Sequence, residues 1–424
     1  MPLLRLGATF ALGCALALPA LPATAADPWY DPQAITTTPA SNSATAVAET
    51  ADGTLVGVTR DAAGDFRRSA RAPGEEWVPG GVFVDPDGFT IKYVQAIAVT
   101  RDGAGWLAYS VGGSSDVRVV RWAPNGISEE IGVIVDPWTT VDMTVDTEGD
   151  VLLTYGERGG YPLSAMYGNA VGGLESLDVP SWTGSQRPHQ WVLGPGDDVM
   201  LASRFGSRLR TVDVGPDGDG KTREVRRPGA GLRGQVAAAI APSGVQYVAW
   251  TTAPEGGPRI VHMARRQPGG AWLPDRVVDR RGERSQPQKS LVVRTTAGGA
   301  YLAWVQPGKR GSEIRGALVR RQRPVLAQTV AGPRVLEDFR RSLAVEVGQR
   351  GRLLVAWTLV GERGRTVAAA LGQVRGKPAV ARLFAVDSVK TPVALLRAAG
   401  EATVTGGSAS TTTDGRVVRS LSTD

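Results

Sequence analysis

Residues able to do covalent chemistry are scarce in this chain. Two histidines, His189 and His262, and one cysteine, Cys14, are all the imidazole and thiol it contains. Cys14 sits inside an apolar run near the start, so the rest of the chain can form no disulfide, thiolate nucleophile or cysteine-based metal site. Two histidines also leave few ways to assemble a His-ligated metal or a Ser-His-Asp relay. Each reads first as a residue filling its place in a strand or loop.

Carboxylates are plentiful but unpatterned. Two acids flanking a sugar could hydrolyse a glycoside, and Asp85, Asp87, Asp136 and Asp142 fall in or near loops. Nothing in their spacing selects a pair, and a solvated loop acid is the simpler role for each. Asp213, Asp217, Gly218, Asp219 and Glu224 fill positions one, five, six, seven and twelve of a calcium-loop pattern, but position three is Gly215. An ordinary Asp-Gly turn accounts for the stretch. We therefore assign no catalytic residue, no metal ligand and no cofactor from the sequence.

Charge carries more information than any motif. Lys plus Arg number 13 against 24 Asp plus Glu in residues 27–212, and 34 against 17 in residues 213–424, giving −11 and +17. Such a division makes the molecule dipolar and would steer an anion to one side. It also suits a merely solvated surface. The arginines and lysines placed to receive a ligand are Arg233, Arg280, Arg284, Lys289, Arg340 and Lys390, since guanidinium groups capture carboxylate or phosphate in bidentate fashion.

The elements that must position these residues are strands. Gly (54) and Pro (28) are abundant, and no long helical period runs through the chain. Gly53, Gly103, Gly149, Gly196, Gly244, Gly299, Gly351 and Gly400 recur at intervals of 50, 46, 47, 48, 55, 52 and 49 residues. Each is flanked by short apolar strands, and turn clusters such as Pro73-Gly74 and Pro268-Gly269-Gly270 follow. Periods of this length with strand signals belong to propeller blades. The expectation is an all-β propeller of eight four-stranded blades, with seven as the alternative count.

The second strand of most units sets a small residue before an aromatic: Ala108-Tyr109, Thr154-Tyr155, Ala249-Trp250, Ala303-Trp304 and Ala356-Trp357. These aromatics could stack on carbohydrate, but mid-strand aromatics between sheets are usually core. The last unit has three strands, ending at Arg416–Leu421. Trp29–Thr36, which resembles Trp272–Val278, supplies the missing fourth and closes the ring.

The first 26 residues carry Arg5, an apolar run and small residues at Ala23, Ala25 and Ala26. They read as an export signal, leaving residues 27–424 as one secreted or periplasmic domain. The alternatives are a retained anchor, which Pro19 and Pro22 interrupt, and lipidation at Cys14, whose flanking Ala11 is a poor match.

The unit Val236–Val278, with its Pro268-Gly269-Gly270-Ala271-Trp272 turn, resembles the sialidase-like propeller repeats of secreted bacterial proteins. Pro73-Gly74-Glu75-Glu76-Trp77 keeps the same Gly and Trp. Neither turn is an intact Asp box of the form Ser-x-Asp-x-Gly-x-x-Trp, and the family's arginine triad finds no match. Tyr161 with Glu157 is the one candidate for its nucleophile pair. The expected function is therefore an exported, non-catalytic propeller that binds a partner protein or an anionic polysaccharide of the cell envelope through loops on one face. The alternative is a glycan-acting hydrolase using loop carboxylates. A monomer is expected, without a transmembrane segment. Nucleic acid is not expected, because the basic loops hold few aromatics on which a single strand could stack.

Overall fold

The computed structural model describes residues 33–34 and 45–413, apart from 61–62, 64, 84, 86, 90, 113–114, 124–127, 135–140, 147, 157–162, 169–172, 178, 180–188, 197, 206–207, 215–219, 227–231, 253–259, 281–288, 309–310, 321–322, 325–326, 335–342, 362–363, 387–392, 397–400 and 407–408. Almost everything described is strand. After β1 (Gln33–Ala34), blade one holds β2 (Thr45–Glu49), β3 (Leu55–Arg60), β4 (Phe66–Arg71) and β5 (Val78–Phe83). Blade two holds β6 (Ile91–Val99), β7 (Gly105–Val111), β8 (Val117–Trp122) and β9 (Ser128–Ile134). Blade three holds β10 (Asp142–Val145), β11 (Val151–Gly156), β12 (Leu163–Gly168) and β13 (Leu174–Leu177). Blade four holds β14 (His189–Leu193), β15 (Val199–Phe205), β16 (Arg208–Val214) and β17 (Lys221–Arg226).

Blade five follows with β18 (Leu232–Ile240), β19 (Gln246–Thr252), β20 (Ile260–Arg266) and β21 (Arg276–Asp279). Blade six has β22 (Lys289–Thr296), β23 (Gly299–Gly308), β24 (Gly311–Arg320), β25 (Arg323–Pro324) and β26 (Gln328–Arg334). Blade seven has β27 (Leu343–Val347), β28 (Arg352–Gly361), β29 (Gly364–Gln373) and β30 (Ala379–Val386). Blade eight has β31 (Val393–Leu396), β32 (Ala402–Gly406) and β33 (Ala409–Thr413).

Each blade is an antiparallel meander, and the innermost strands touch in the cycle β2, β6, β10, β14, β18, β22, β27, β31 and back to β2. The fold is a closed β-propeller. Seven sheets have four strands and the sheet of blade six has five. Its extra strand is the outer strand in two pieces, since β25 and β26 both pair with β24. Pro324 lies at that break, where a missing N–H cannot continue the ladder.

Ring closure takes the form expected, with a shift in register. β1 pairs with β33 through Gln33↔Ser410 and Ala34↔Ala409. The third strand of blade eight is therefore Ala409–Thr413, not Arg416–Leu421, which lies outside the described residues. Six of the recurring glycines, Gly53, Gly103, Gly149, Gly196, Gly244 and Gly351, take φ between 65° and 99°. That is the left-handed region a side chain resists, which explains their spacing. Gly299 departs from the set: a Cβ there would meet the Val319 carbonyl oxygen at 2.0 Å.

The core lies between blades rather than within them. One cluster joins Trp304 and Leu302 of blade six to Tyr247 and Met263 of blade five, and another joins Tyr301 of blade six to Trp357 of blade seven. Trp250, Trp304, Trp357 and Tyr109 are essentially fully buried, so the in-register aromatics are scaffold. Tyr155, partly buried, packs against the cluster between blades two and three.

Candidate functional site

Antiparallel meanders put two kinds of connection on opposite faces of the ring. The links from second to third strand, and from one blade to the next, lie on one side, called here the loop face. The links from first to second and third to fourth strand lie on the other, the turn face.

The six basic residues singled out in the sequence fall on the loop face wherever the structure describes them. Arg233 is the second residue of β18 and Lys289 the first of β22, adjacent innermost strands. Both strands enter through an irregular register, between Leu232 and Val236 and between Lys289 and Val292. Arg280 follows the last residue of β21 and is exposed, so Arg280 and Lys289 bracket a single connection. Arg284, Arg340 and Lys390 lie outside the described residues.

Side-chain amides stitch the wall on which these strands stand. Gln235 Oε1 accepts from the Leu291 N–H at 2.7 Å, linking blades five and six. Gln190 Oε1 accepts from the Ala238 N–H at 3.0 Å, linking blades four and five. Such bonds hold neighbouring blades in register and fix where a loop leaves the ring.

Of the loop acids, Asp85 turns out to be structural. Asp85 is buried; its Oδ1 accepts from the backbone N–H groups of Asp87 (2.9 Å) and Phe89 (3.1 Å). Its Oδ2 accepts from the Tyr109 hydroxyl, and Arg118 Nη1 stands 3.6 Å away. A carboxylate so engaged ties the loop between blades one and two to the scaffold and has no free oxygen for acid-base work. Asp87 is exposed and pairs with Arg118 at 2.6 Å, while Arg118 also lies 4.6 Å from the centre of the half-exposed Phe89 ring. Sequence reasoning named the acids but missed Arg118 and Phe89. The Asp-Pro-Asp-Gly run was the available signal, because an Asx turn captures backbone N–H groups two and four residues on. Asp142 is exposed at the start of β10, and Asp136, Glu157 and Tyr161 lie outside the described residues.

His262 occupies a hydroxyl–imidazole–carboxylate relay that the sequence reading had set aside. Its Nε2 lies 2.8 Å from Thr252 Oγ1 and its Nδ1 lies 2.8 Å from Asp275 Oδ2. The ring stacks on Trp250, centroids 5.4 Å apart and planes within 7°, and is buried. With both nitrogens engaged and one face covered by indole, the imidazole ties the outer strands of blade five to its inner ones. His189 begins β14.

Asp213 spends its carboxylate on two arginines. Its Oδ2 pairs with Arg223 Nε at 3.1 Å and its Oδ1 with Arg266. Arg266 is 1% exposed, donates from Nε to Gln246 Oε1 at 2.7 Å and lies against the Trp272 ring. Asp213 thus braces blade four against blade five, and residues 215–219 of the calcium-like stretch lie outside the described residues. Elsewhere Asp146, Glu148 and Asp150 bring carboxylate oxygens within 4.8 Å of one another. Asp146 Oδ1 there accepts from the N–H groups of Glu148, Gly149 and Asp150 at 2.8, 2.9 and 3.0 Å, the pattern of a capped turn.

No known protein family and no functionally characterised protein matches the sequence. Solved structures of like architecture include the polysaccharide lyase Uly1, 9% identical, aligned over 83% of this chain and 91% of that one at TM-score 0.44. The α-L-arabinanase of Penicillium chrysogenum, solved with arabinobiose, is 12% identical over 82% of this chain and 99% of its own, at 0.43. Prolyl oligopeptidase B from Galerina marginata is 14% identical over 85% of this chain and 55% of its own, at 0.49. Likeness at this level concerns the propeller fold alone. Among the described residues, no helix is long and apolar enough to cross a membrane.

Proposed function

We propose that this is an exported, non-catalytic propeller that binds an anionic polysaccharide or an acidic partner of the cell envelope on the loop face of its basic side. The observation that carries the reading is that Arg233, Arg280 and Lys289 all stand at the loop-face ends of their strands in blades five and six, within the stretch of the chain that holds 34 Lys plus Arg against 17 Asp plus Glu. A ring turns an uneven sequence into an uneven disc, and the field of such a disc draws anions to one rim. The hydrolase alternative has less support, because Asp85 is spent on the scaffold and the exposed Asp87 is held by Arg118.

The test is retention on acidic and neutral glycans and on isolated cell wall as salt is raised. Retention on the acidic material should fall steeply between about 0.05 and 0.5 M salt, since screening shortens the reach of exposed charges. The triple variant Arg233→Ser, Arg280→Ser, Lys289→Ser should lose at least about tenfold in retention, the size expected when two or three charge-assisted contacts are removed. Salt-insensitive retention, or a triple variant that binds like the parent, would refute the reading. Release of sugar fragments would favour the hydrolase.

A further inference from the structure

The turn face is polarised on the turns that the structure describes. On blades one to three its exposed side chains include Asp52, Glu75, Glu76, Asp102 and Glu148, with Asp198 on blade four. Arg101 and Lys221 are the exposed cations among them. At the described turns of blades six and seven the exposed charges are Arg320, Arg350, Arg375 and Lys377, and no exposed acid lies on the described turns of blades five to seven. The same turn position changes sign around the ring: Asp52, Asp102 and Glu148 each precede the left-handed glycine of their turn, and on blade seven that place belongs to Arg350.

The basic arc is held rigidly. Val374 N–H donates to the Gly351 carbonyl at 2.9 Å, joining the two turns of blade seven. Gln328 Nε2 of blade six donates to the Val374 and Gly376 carbonyls at 3.3 and 3.2 Å. The Gln373 amide, oriented to satisfy its partners, donates to the Arg350 and Gly351 carbonyls at 3.2 and 2.9 Å. Arg350 itself sits at φ 58°, a conformation that costs an arginine roughly 1–2 kcal/mol more than a glycine. The backbone of such turns has little freedom left to lose when it meets a partner.

We propose that the turn face is a self-association surface, on which a second copy of this chain sits face to face about a two-fold axis lying along the divide between the acidic and basic arcs. Rotation about that axis lays each acidic arc on the partner's basic arc, so one operation satisfies both halves, as an isologous contact requires. A long polyanion suits the face poorly. Any polymer crossing from blades six and seven would run into Asp102 and Glu148 on blades two and three, the opposite side of the ring. A bipolar face calls for a bipolar partner, and this chain presents the complement of its own surface. The inference is independent of the loop-face reading, which concerns the opposite side of the disc.

Charge reversal tests it. The protein should sediment at twice its monomer mass at about 20 mM salt and as a monomer at about 0.5 M, where the screening length falls to a few ångströms. Arg350→Glu, Arg375→Glu, Lys377→Glu should be monomeric at both, and so should Glu75→Lys, Glu76→Lys, Glu148→Lys. All six positions are exposed, and an unchanged melting temperature would show that the variants fold. Mixed in equal amounts at low salt, the two variants should pair with each other, because a mainly acidic face then meets a mainly basic one. A parent that stays monomeric at low salt, a reversed variant that dimerises alone, or a mixture that fails to pair overturns the proposal. The loop-face triple variant should dimerise like the parent, which separates failure of one reading from failure of the other.

Discussion

The junction between blades five and six and the junction that closes the ring solve one problem by different means. Between blades five and six an apolar cluster of Ala237, Tyr247, Met263, Leu302, Trp304 and Val319 crosses from one sheet to the next. Comparable clusters cross each junction from blades one and two through blades seven and eight. At the closing junction the described cluster is Val47, Leu55 and Trp77, all from blade one. Closure there adds the innermost contact of β31 with β2, the short β1–β33 pairing, and Arg71 reaching Glu401 of blade eight at 3.0 Å. Chain connectivity explains the difference. Seven junctions are built by consecutive sequence, which can optimise a shared core, whereas the eighth joins two distant ends and, among the described residues, is fastened by backbone pairing and a directed ion pair.

The largest effect should therefore come from the apolar arc. Trp304→Ala empties a fully buried indole site and should cost about 3–5 kcal/mol, the range for an aromatic truncated in a core. Urea unfolding measures it as a lower midpoint at unchanged slope. Deleting residues 27–38 removes β1 and leaves the inter-blade cores intact. Its cost should be smaller, about 1–3 kcal/mol for the lost strand pairing and an exposed edge on β33. Calorimetry on both variants sets the two junctions side by side. A deletion that costs more than Trp304→Ala would show that closure, not the shared cores, limits the stability of the ring.

Much of this architecture was legible in the repeats because its causes are local. The recurring glycines mark turns that need positive φ, and the small-then-aromatic pairs mark strands that alternate between neighbouring sheets. The register of the end of the chain was misread: the strand lies at the Thr-rich Ala409–Thr413, where it pairs with β32 on one side and β1 on the other. Polar contacts between distant residues were opaque. Asp85 with Tyr109 and Arg118, Asp213 with Arg266, and His262 with Thr252 and Asp275 depend on which faces the ring brings together, and no spacing along the chain encodes that. The basic loop residues were legible as charge, while their arrangement follows from blade order, which only a closed ring supplies.

Within the apolar arc one acid sharpens the contrast through pH. Glu346 of β27 is half-buried, with Arg294 Nε of β22 at 3.9 Å and the same Nε donating to the Val345 carbonyl at 2.9 Å. Burial raises the Glu346 carboxyl above its ordinary value, and the Arg294 charge offsets only part of that. An acid raised on folding binds its proton more tightly in the folded state. Its contribution to stability is complete below the ordinary carboxyl pKa and is lost as pH rises through the raised one. Glu346→Gln removes that dependence, so the variant should equal the parent near pH 4 and be modestly more stable near pH 8, by about a few tenths of a kcal/mol for a group this accessible to solvent. Urea midpoints across that pH range decide it. A variant less stable than the parent at high pH would mean that the ion pair with Arg294 outweighs burial, and that even the apolar arc is fastened by charge.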